Sequence, residues 1–569
     1  MSMFGKSGIT FDGVQPLLDG VVPACTATVL ANGIEWTLDG GGSIVLTVDD
    51  GEVTRLDVSA TGLGEAPLSL GLRFDAVAGV RRYLRNGYHS WDGSFFADPG
   101  TPAGDAPPGK EPTLGFAMTA LVPAEGQGAV VLGFDRHDRF QNRFRFGGDA
   151  SAMAIDVETL LDRTGATSAE NLLLYADADV EQALIRWSGH VAAASPTLPR
   201  LPEKRIKGWC SWYNLYAAIT EENIREHLAA AATYRDAHGA DLDIFLIDDG
   251  FTPEMGDWLD VKPQFARGMK PLLSEIAGTG FTPGLWIAPF MVGNRSRLYA
   301  EHPDWVVREK ATGTPLIQMA FYGEFRWHKR SEEYYVLDIT HPDAEAYIRR
   351  VFRAWAHDWG ARYFKTDFMF FGAEYGPDHV VWHEAGLSRI AIWRKMGSII
   401  REEIGDALWL GCGCPLWASV GLVDAIRIGR DVGVKWSGDQ SAESLLRDQA
   451  TRNHAAGRLW QADPDCILLR DRFHDLTDAQ VKSLALLAGL SGGVLMTSDH
   501  LGELTPDRAR LLDALAALDV AECRYPSLGN GEASIVQRAM LADGQTLELR
   551  LDPEAGESQC TDSAGAIWP

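Results

Sequence analysis

A strand-like segment that ends in a carboxylate is the most informative feature of the chain. Residues 363–371 read Tyr-Phe-Lys-Thr-Asp-Phe-Met-Phe-Phe, so Asp367 follows an apolar run typical of a buried β-strand. Lys365 precedes it by two residues and therefore points to the same side of that strand, where its charge favours an ionised carboxylate. Because parallel barrels carry their catalytic groups at the carboxyl ends of strands, we predict that Asp367 is catalytic.

A second carboxylate follows a later strand-like segment. Residues 427–431 read Arg-Ile-Gly-Arg-Asp, which places Asp431 close to Arg427 and Arg430. Two strand-end carboxylates, each with a basic neighbour, are the groups that glycosidases use. Taken singly, Asp367 is also compatible with a structural role and Asp431 with a surface salt bridge. Their predicted position on one face of a barrel favours catalysis for the pair.

The elements that would position these carboxylates alternate between strands and helices. Helices are predicted to begin after the N-cap residues Thr220 and Thr477, the latter with Gln480 in a capping box. Apolar strands are predicted at 206–212, 242–247, 283–288, 362–366, 408–412, 425–428, 459–462 and 494–497. Eight strands in about 300 residues predict a (β/α)8 TIM barrel. A doubly wound sheet is the competing fold, but no glycine fingerprint follows the first strand.

The two flanking regions have the alternation of antiparallel β-structure. Segments 34–38, 43–48 and 53–58 alternate apolar and polar residues between glycine-rich turns, which favours a β-sandwich. A proline-rich stretch at 195–202 reads as a stiff linker. We therefore predict a multi-domain chain with an N-terminal antiparallel β-sandwich (1–195), a catalytic barrel (196–518) and a small C-terminal antiparallel β-domain (519–569).

Composition limits the classes of partner. The net charge of −26 argues against nucleic acid and anionic membranes, and it is compatible with a neutral polar ligand such as a sugar. No apolar run is long enough for a membrane span, and residues 1–6 are not followed by an apolar run of signal-peptide length. The seven scattered cysteines favour a reducing compartment, so we expect a cytoplasmic protein. No metal or other cofactor is predicted, because the pair Cys412 and Cys414 lacks a second pair at zinc-site spacing.

Further polar and aromatic residues end the predicted barrel strands. The adjacent carboxylates Asp248 and Asp249 suit paired hydrogen bonds to neighbouring sugar hydroxyls, or alternatively the capping of the turn at Gly250. Trp209, Trp212 and Trp286 are candidate sugar-stacking platforms, although an aromatic barrel core explains each of them equally well.

Seven segments in order resemble glycoside hydrolase family 36, the bacterial α-galactosidases related to family 27. Each is modest alone, but together they span roughly residues 83–500 and are specific. They are Asn-Gly-Tyr-His-Ser-Trp (86–91), Gly-Trp-Cys-Ser-Trp-Tyr (208–213), Leu-Ile-Asp-Asp-Gly (246–250), Gly-Leu-Trp-Ile-Ala-Pro (284–289), Phe-Lys-Thr-Asp (364–367), Gly-Cys-Gly-Cys-Pro-Leu (411–416) and Arg-Ile-Gly-Arg-Asp (427–431).

The resemblance implies a retaining exo-α-galactosidase acting on small α-galactoside oligosaccharides, with Asp367 as nucleophile and Asp431 as general acid/base. It implies that Trp91 reaches the pocket from the N-terminal sandwich. It also implies that Cys412 and Gly413 form the bottom of the pocket near the sugar's 2-position. The residues implied to bind sugar hydroxyls are Asp248, Asp249, Lys365 and Arg427.

Three expectations about the site follow. We expect Lys365 to depress the pKa of Asp367 and Arg427 to point at the sugar's 2-position rather than at Asp431. A retaining mechanism predicts carboxyl groups about 5–5.5 Å apart. The alternatives are an α-N-acetylgalactosaminidase or an α-galactosyl transglycosylase with the same machinery and, from another class, a non-catalytic sugar-binding protein. The sequence leaves open whether the chain forms a homo-oligomer.

Overall fold

Parallel strands form the centre of the computed structural model, which describes residues 2–105, 111–149, 151–321, 329–438, 441–531 and 534–568. The barrel strands are Lys207–Cys210, Ile244–Ile247, Thr282–Ile287, Tyr363–Thr366, Leu408–Gly411, Ala425–Arg427, Gln461–Asp463 with Cys466–Ile467, and Leu495–Thr497. The seventh strand is interrupted: its first half pairs with the sixth strand and its second half with the eighth. Since the eighth strand also pairs with the first, the ring closes.

Helices cover the outside of this barrel. They include Trp212–Leu215, Glu221–His238, Met269–Gly278, Arg297–Glu301, Pro342–Arg353, Arg389–Ile404, Ala442–Arg452, Asp478–Leu490 and Pro506–Ala517. Both predicted N-caps are confirmed, with capping boxes at Thr220 and Thr477. Four short strands follow the third barrel strand: Met291–Gly293, Arg308–Glu309, Ile317–Ala320 and Glu333–Val336. Val380–Val381 follows the fourth barrel strand and pairs antiparallel with Arg308–Glu309. The sequence prediction of a (β/α)8 barrel is confirmed.

Antiparallel sheets flank the barrel on both sides in the chain. The N-terminal region forms one sheet from Ser2–Lys6, Ile9–Leu18, Ser69–Ala78, Leu114–Phe116, Gln141–Gly148 and Met153–Leu160. A second sheet contains Cys25–Leu30, Gly33–Leu38, Ser43–Asp49, Thr54–Thr61, Val80–Arg85, Phe95–Ala97, Met118–Pro123, Ala129–Phe134 and Leu172–Asp177. Helices Pro102–Asp105 and Val180–Ala194 complete this region. The predicted strands at 34–38, 43–48 and 53–58 correspond to three of these strands.

The last part of the chain is a four-stranded antiparallel sheet. Its strands are Val520–Arg524, Ile535–Leu541, Thr546–Asp552 and Glu557–Asp562. The sheet packs on the helix Asp478–Leu490, where the Ser483 hydroxyl donates to the Gly556 carbonyl at 2.9 Å. The predicted fold class is confirmed, while the domain boundaries at 195/196 and 518/519 stay predictions. Among the helices of the described residues, none is both long and apolar enough to cross a membrane.

One buried arginine ties the N-terminal sandwich to the barrel. Arg452 ends the helix Ala442–Arg452, and its side chain is buried. In the loop at 89–94, its guanidinium donates to the carbonyls of His89, Ser90 and Asp92 and to the Ser94 hydroxyl. At the end of the sixth barrel strand, it donates to the Ile428 carbonyl. Gly87 is required beside it, because a Cβ there would lie 2.4 Å from the guanidinium. The loop that carries Trp91 is thereby fixed on the carboxyl end of the barrel.

Replacing Arg452 with lysine is expected to lower the free energy of unfolding by about 2–4 kcal/mol. A single ammonium group cannot donate to all of these acceptors, so several buried carbonyls lose their hydrogen-bond donor. Denaturant unfolding measures the effect. Arg447→Lys is the matched control on the same helix; its guanidinium is partly exposed and lies 3.7 Å from Glu443, so a change within about 0.5 kcal/mol is expected. Equal losses in both variants would contradict the role given to Arg452.

Candidate active site

Asp367 lies at the carboxyl end of the fourth barrel strand and is nearly buried. Its Oδ2 accepts the indole N–H of Trp286 at 3.1 Å, and its Oδ1 accepts the backbone N–H of Phe368 at 2.8 Å. Phe368 adopts a left-handed backbone, with φ of 52°, which turns the chain sharply after the strand. Two donors from different directions therefore fix the orientation of this carboxylate.

Burial determines the acidity of Asp367. It raises the carboxyl pKa above the usual 3.8; the charge of Lys365 lowers the pKa, the charge of Asp431 raises it, and a hydrogen bond with Cys412 lowers it. The expected effect of Lys365 on this pKa is confirmed in direction, although the net shift is upward. Lys365 acts in the predicted direction, but burial outweighs it, and its ammonium forms its ion pair with Asp248 Oδ2 at 2.8 Å.

The two adjacent carboxylates after the second strand are both buried and paired with lysines. Asp248 Oδ2 also lies 3.4 Å from the Cys210 thiol. Asp249 Oδ1 lies 3.1 Å from Nζ of Lys329, whose side chain is fully buried. Turn capping alone does not explain these partners. Sequence reasoning missed Lys329, since it follows no strand-like segment.

Arg427 is shared by three carboxylates. Its guanidinium lies 3.1 Å from Asp431, 3.0 Å from Asp463 and 2.8 Å from Asp465. The expectation that Arg427 turns away from Asp431 is therefore wrong. The physical reason is that Asp463 and Asp465 hold the buried guanidinium at the end of its strand, where the four-residue spacing brings Asp431 within reach.

Asp463 and Asp465 are site residues that sequence reasoning missed. They flank Pro464 at the break in the seventh strand, and Asp465 has a φ of 80°. Asp465 accepts the N–H groups of Val432 and Cys466, each at 2.7 Å, and the Tyr213 hydroxyl. Burial and the neighbouring carboxylates raise the pKa of Asp465 to about 6. The Asp-Pro-Asp run was the available signal, because proline interrupts strands.

The three candidate tryptophans occupy different environments. Trp286 bonds to Asp367 and lies at the site. Trp212 is half-buried beside the ring of Tyr216, 5.4 Å away. Trp209 is buried on the helix side of the barrel, where its ring stacks on Phe245 at 4.4 Å. The assignment of Trp209 as a sugar platform is therefore wrong, because its strand position faces the helices rather than the pocket.

The remaining candidates surround Asp367. Trp91 contacts the ring of Phe368 at 4.9 Å, and its carbonyl accepts a hydrogen bond from Arg430 at 3.3 Å. It thus joins the two carboxylate-bearing segments from the sandwich side. Gly413 has a φ of 57°, and a Cβ at this position would lie 3.0 Å from the Phe368 nitrogen. Together with Cys412, it closes the space beside Asp367.

The geometry defines a class: a parallel barrel between two β-regions, with Asp367 buried and Asp431 half-exposed at the carboxyl end. The comparisons then identify the family resemblance. Residues 209–371 match the Melibiase family model. The sequence prediction of a resemblance to the family 36 α-galactosidases is confirmed.

Curated relatives match through short segments. Alpha-galactosidase 2 of Pediococcus pentosaceus is 30% identical over 105 residues, which cover 17% of this chain and 14% of that protein. The alpha-galactosidase of Escherichia coli is 24% identical over 162 residues, which cover 27% of this chain and 20% of that protein. The matched part of the chain thus spans far less than two thirds of these relatives' length.

Solved structures match over almost the whole chain and support the fold. TtGalA, an alpha-galactosidase from Thermus thermophilus in complex with p-nitrophenyl alpha-D-galactopyranoside, has a TM-score of 0.66 and 24% identity, with 91% of this chain and 98% of that chain covered. The alpha-galactosidase AgaA from Geobacillus stearothermophilus has a TM-score of 0.60 and 14% identity, with 95% and 79% covered.

Replacing Trp286 with phenylalanine is expected to move the acidic limb of the kcat/KM profile upward by about one pH unit. The variant removes a donor to the Asp367 carboxylate, so the pKa of Asp367 rises further and the carboxyl group stays protonated to higher pH. Trp258→Phe is the matched control, since its ring packs 6.3 Å from that of Trp286. A shift of the same size in the control would contradict this reasoning.

Proposed function

We propose that the protein is a retaining exo-α-galactosidase that releases terminal α-D-galactosyl residues from small oligosaccharides. The observation that carries the proposal is the pair Asp367 and Asp431, which interact electrostatically but differ in environment. Asp367 is 7% exposed and held by two donors, whereas the Asp431 side chain is 51% exposed. A fixed, buried carboxylate suits a nucleophile, and an accessible one suits a proton donor to a leaving group. The α-galactosidase relatives favour the same substrate class.

The reaction proceeds by two displacements. Ionised Asp367 attacks the anomeric carbon while Asp431 gives its proton to the departing oxygen, and a covalent glycosyl-enzyme forms. Asp431 then takes a proton from water, which attacks the same carbon and releases Asp367. The indole N–H of Trp286 and the N–H of Phe368 hold the Asp367 oxygens in position throughout. The two carboxyl groups are expected to lie about 5–5.5 Å apart, as in retaining enzymes.

Buried charged groups around Asp367 supply the sugar contacts. Asp248 and Asp249 accept hydrogen bonds from neighbouring sugar hydroxyls, and their lysine partners offset the cost of burying these carboxylates. Arg427 and Lys365 supply donors, and Trp91 closes the pocket from the sandwich. Cys412 and Gly413 pack close to Asp367, which favours a hydroxyl over a bulky acetamido group near the 2-position.

A cytoplasmic location also stays a proposal. All seven cysteines of the chain are free thiols in the structure. This state is typical of a reducing compartment.

A proton NMR time course with an aryl α-D-galactoside tests the proposal. The expected result is that α-galactose appears before mutarotation. If β-galactose appears first, the enzyme inverts and the roles of the two carboxylates must be reassigned. If no galactose is released, the substrate assignment is wrong. The 2-acetamido analogue is expected to be a poor substrate. When sucrose is added as an acceptor, free galactose is expected to remain the product, with no galactosyl transfer to sucrose. Efficient turnover of the analogue or transfer to sucrose would favour the alternatives.

Asp367→Ala is expected to reduce kcat by at least about 10⁴-fold, because the glycosyl-enzyme cannot form. Azide is expected to restore part of the activity by taking the place of the carboxylate. Asp507→Ala, at a side chain that is 85% exposed, is the control and should retain full activity. Undiminished turnover by Asp367→Ala would mean that another group is the nucleophile.

A further inference from the structure

Two exposed aromatic residues at the carboxyl end of the barrel have an unfavourable backbone conformation. Tyr216 has a φ of 46° and is 41% exposed, and Phe473 has a φ of 63° and is 58% exposed. Bulky residues rarely adopt left-handed backbone, and such outliers cluster at binding sites. Capping of the helix Trp212–Leu215 accounts for part of the Tyr216 conformation, because its N–H donates to the Trp212 carbonyl. The exposure of both rings at this end of the barrel suits a surface that binds a ligand.

The loops of these residues flank the loop of Asp431. Tyr216 follows the first barrel strand, and Phe473 follows the seventh. The N–H of Asp475 donates to the carbonyl of Val434 at 2.8 Å, which joins the Phe473 loop to the segment after Asp431. On its other side, Nη2 of Arg470 donates to the Tyr213 carbonyl at 2.8 Å, which joins the Phe473 loop to that of Tyr216.

The exposed side of Asp431 defines where a leaving group lies. Asp367 is buried, so the galactosyl ring occupies the inner end of the pocket, and the group protonated by Asp431 must extend outward past its half-exposed carboxyl. Tyr213 lies near this point: its hydroxyl bonds to Asp465, which shares Arg427 with Asp431. The charge of Asp431 also contributes to raising the pKa of Tyr213. The path outward thus leads between the first and seventh loops.

We propose that Phe473 and Tyr216 bind the sugar on the leaving-group side of the cleaved bond, each presenting its ring to an apolar face of that sugar. This inference rests on the proposed function and adds a specificity site to it. Arg470 and Arg472 lie 5.8 and 5.4 Å from the centre of the Phe473 ring, which restricts that ring and places guanidinium donors beside it. Trp212 supports the ring of Tyr216 from the barrel side. The occupant is therefore a carbohydrate aglycone of an α-galactoside.

Phe473→Gly and Tyr216→Gly test the proposal through a substrate pair. In stachyose the leaving group is a sugar, whereas in α-galactosyl fluoride it is a fluoride ion that cannot contact these rings. The ratio of kcat/KM for stachyose to that for the fluoride is expected to fall about tenfold in each variant, with most of the change in KM for stachyose. Glycine adopts positive φ without strain, so thermal stability should not decrease and misfolding does not explain the loss.

Ser7→Gly is the matched control, because Ser7 has a φ of 48° in an exposed turn of the sandwich. Its substrate ratio is expected to equal that of the wild type. Unchanged ratios in both aromatic variants, with a wild type active on both substrates, would overturn this inference alone. That outcome would instead suit a contact surface between molecules. A wild type inactive on both substrates would overturn the proposed function and, with it, the inference.

Discussion

Pairing of buried charge at the carboxyl end of the barrel is the constraint on which the site depends. Ionised groups are costly to bury unless they have partners. Arg427 forms ion pairs with Asp431, Asp463 and Asp465. Lys365 is paired with Asp248, and Lys329 with Asp249. The three carboxylates around Arg427 outnumber it, so excess negative charge accumulates there. Burial in the first place, and then the charges of Asp431 and Asp463, raise the pKa of Asp465 to about 6.

The same pairing determines which carboxylates remain available for chemistry. Asp248, Asp249, Asp463 and Asp465 are occupied by cations and N–H donors. Among the described residues no cation forms an ion pair with Asp367, whose donors include the Trp286 indole and the Phe368 N–H. A carboxylate held in this way keeps its orientation without a cation attached to its oxygens. Asp431 is the most exposed of the three carboxylates paired with Arg427, with its side chain 51% exposed.

The sequence predicted what depends on local pattern. Eight strand positions, two N-caps and the paired strand-end aspartates follow from periodicity and capping chemistry, and all have counterparts in the structure. What depends on neighbours distant in the chain was missed. Trp209 and Trp286 have the same residue type, yet strand orientation places one against the helices and the other on Asp367. Lys329 and Asp465 reach the site through a long insertion and a broken strand, which no short motif describes. Arg427 was misjudged because its partners Asp463 and Asp465 come from another strand.

Left-handed backbone recurs where this site meets its surroundings. Phe368 turns the chain after Asp367, Asp465 interrupts the seventh strand to face Arg427, and Tyr216 and Phe473 lie in loops at the carboxyl end of the barrel. The first two have hydrogen bonds that explain their conformations: the Phe368 N–H donates to Asp367, and Asp465 accepts from Val432 and Cys466. The rings of Tyr216 and Phe473 have aromatic and cationic neighbours, and the backbone N–H of Tyr216 donates to the Trp212 carbonyl at the end of a short helix. Positive φ at the inner residues thus helps to position Asp367 and Arg427, and at the outer pair it presents two rings where we propose that the leaving sugar binds.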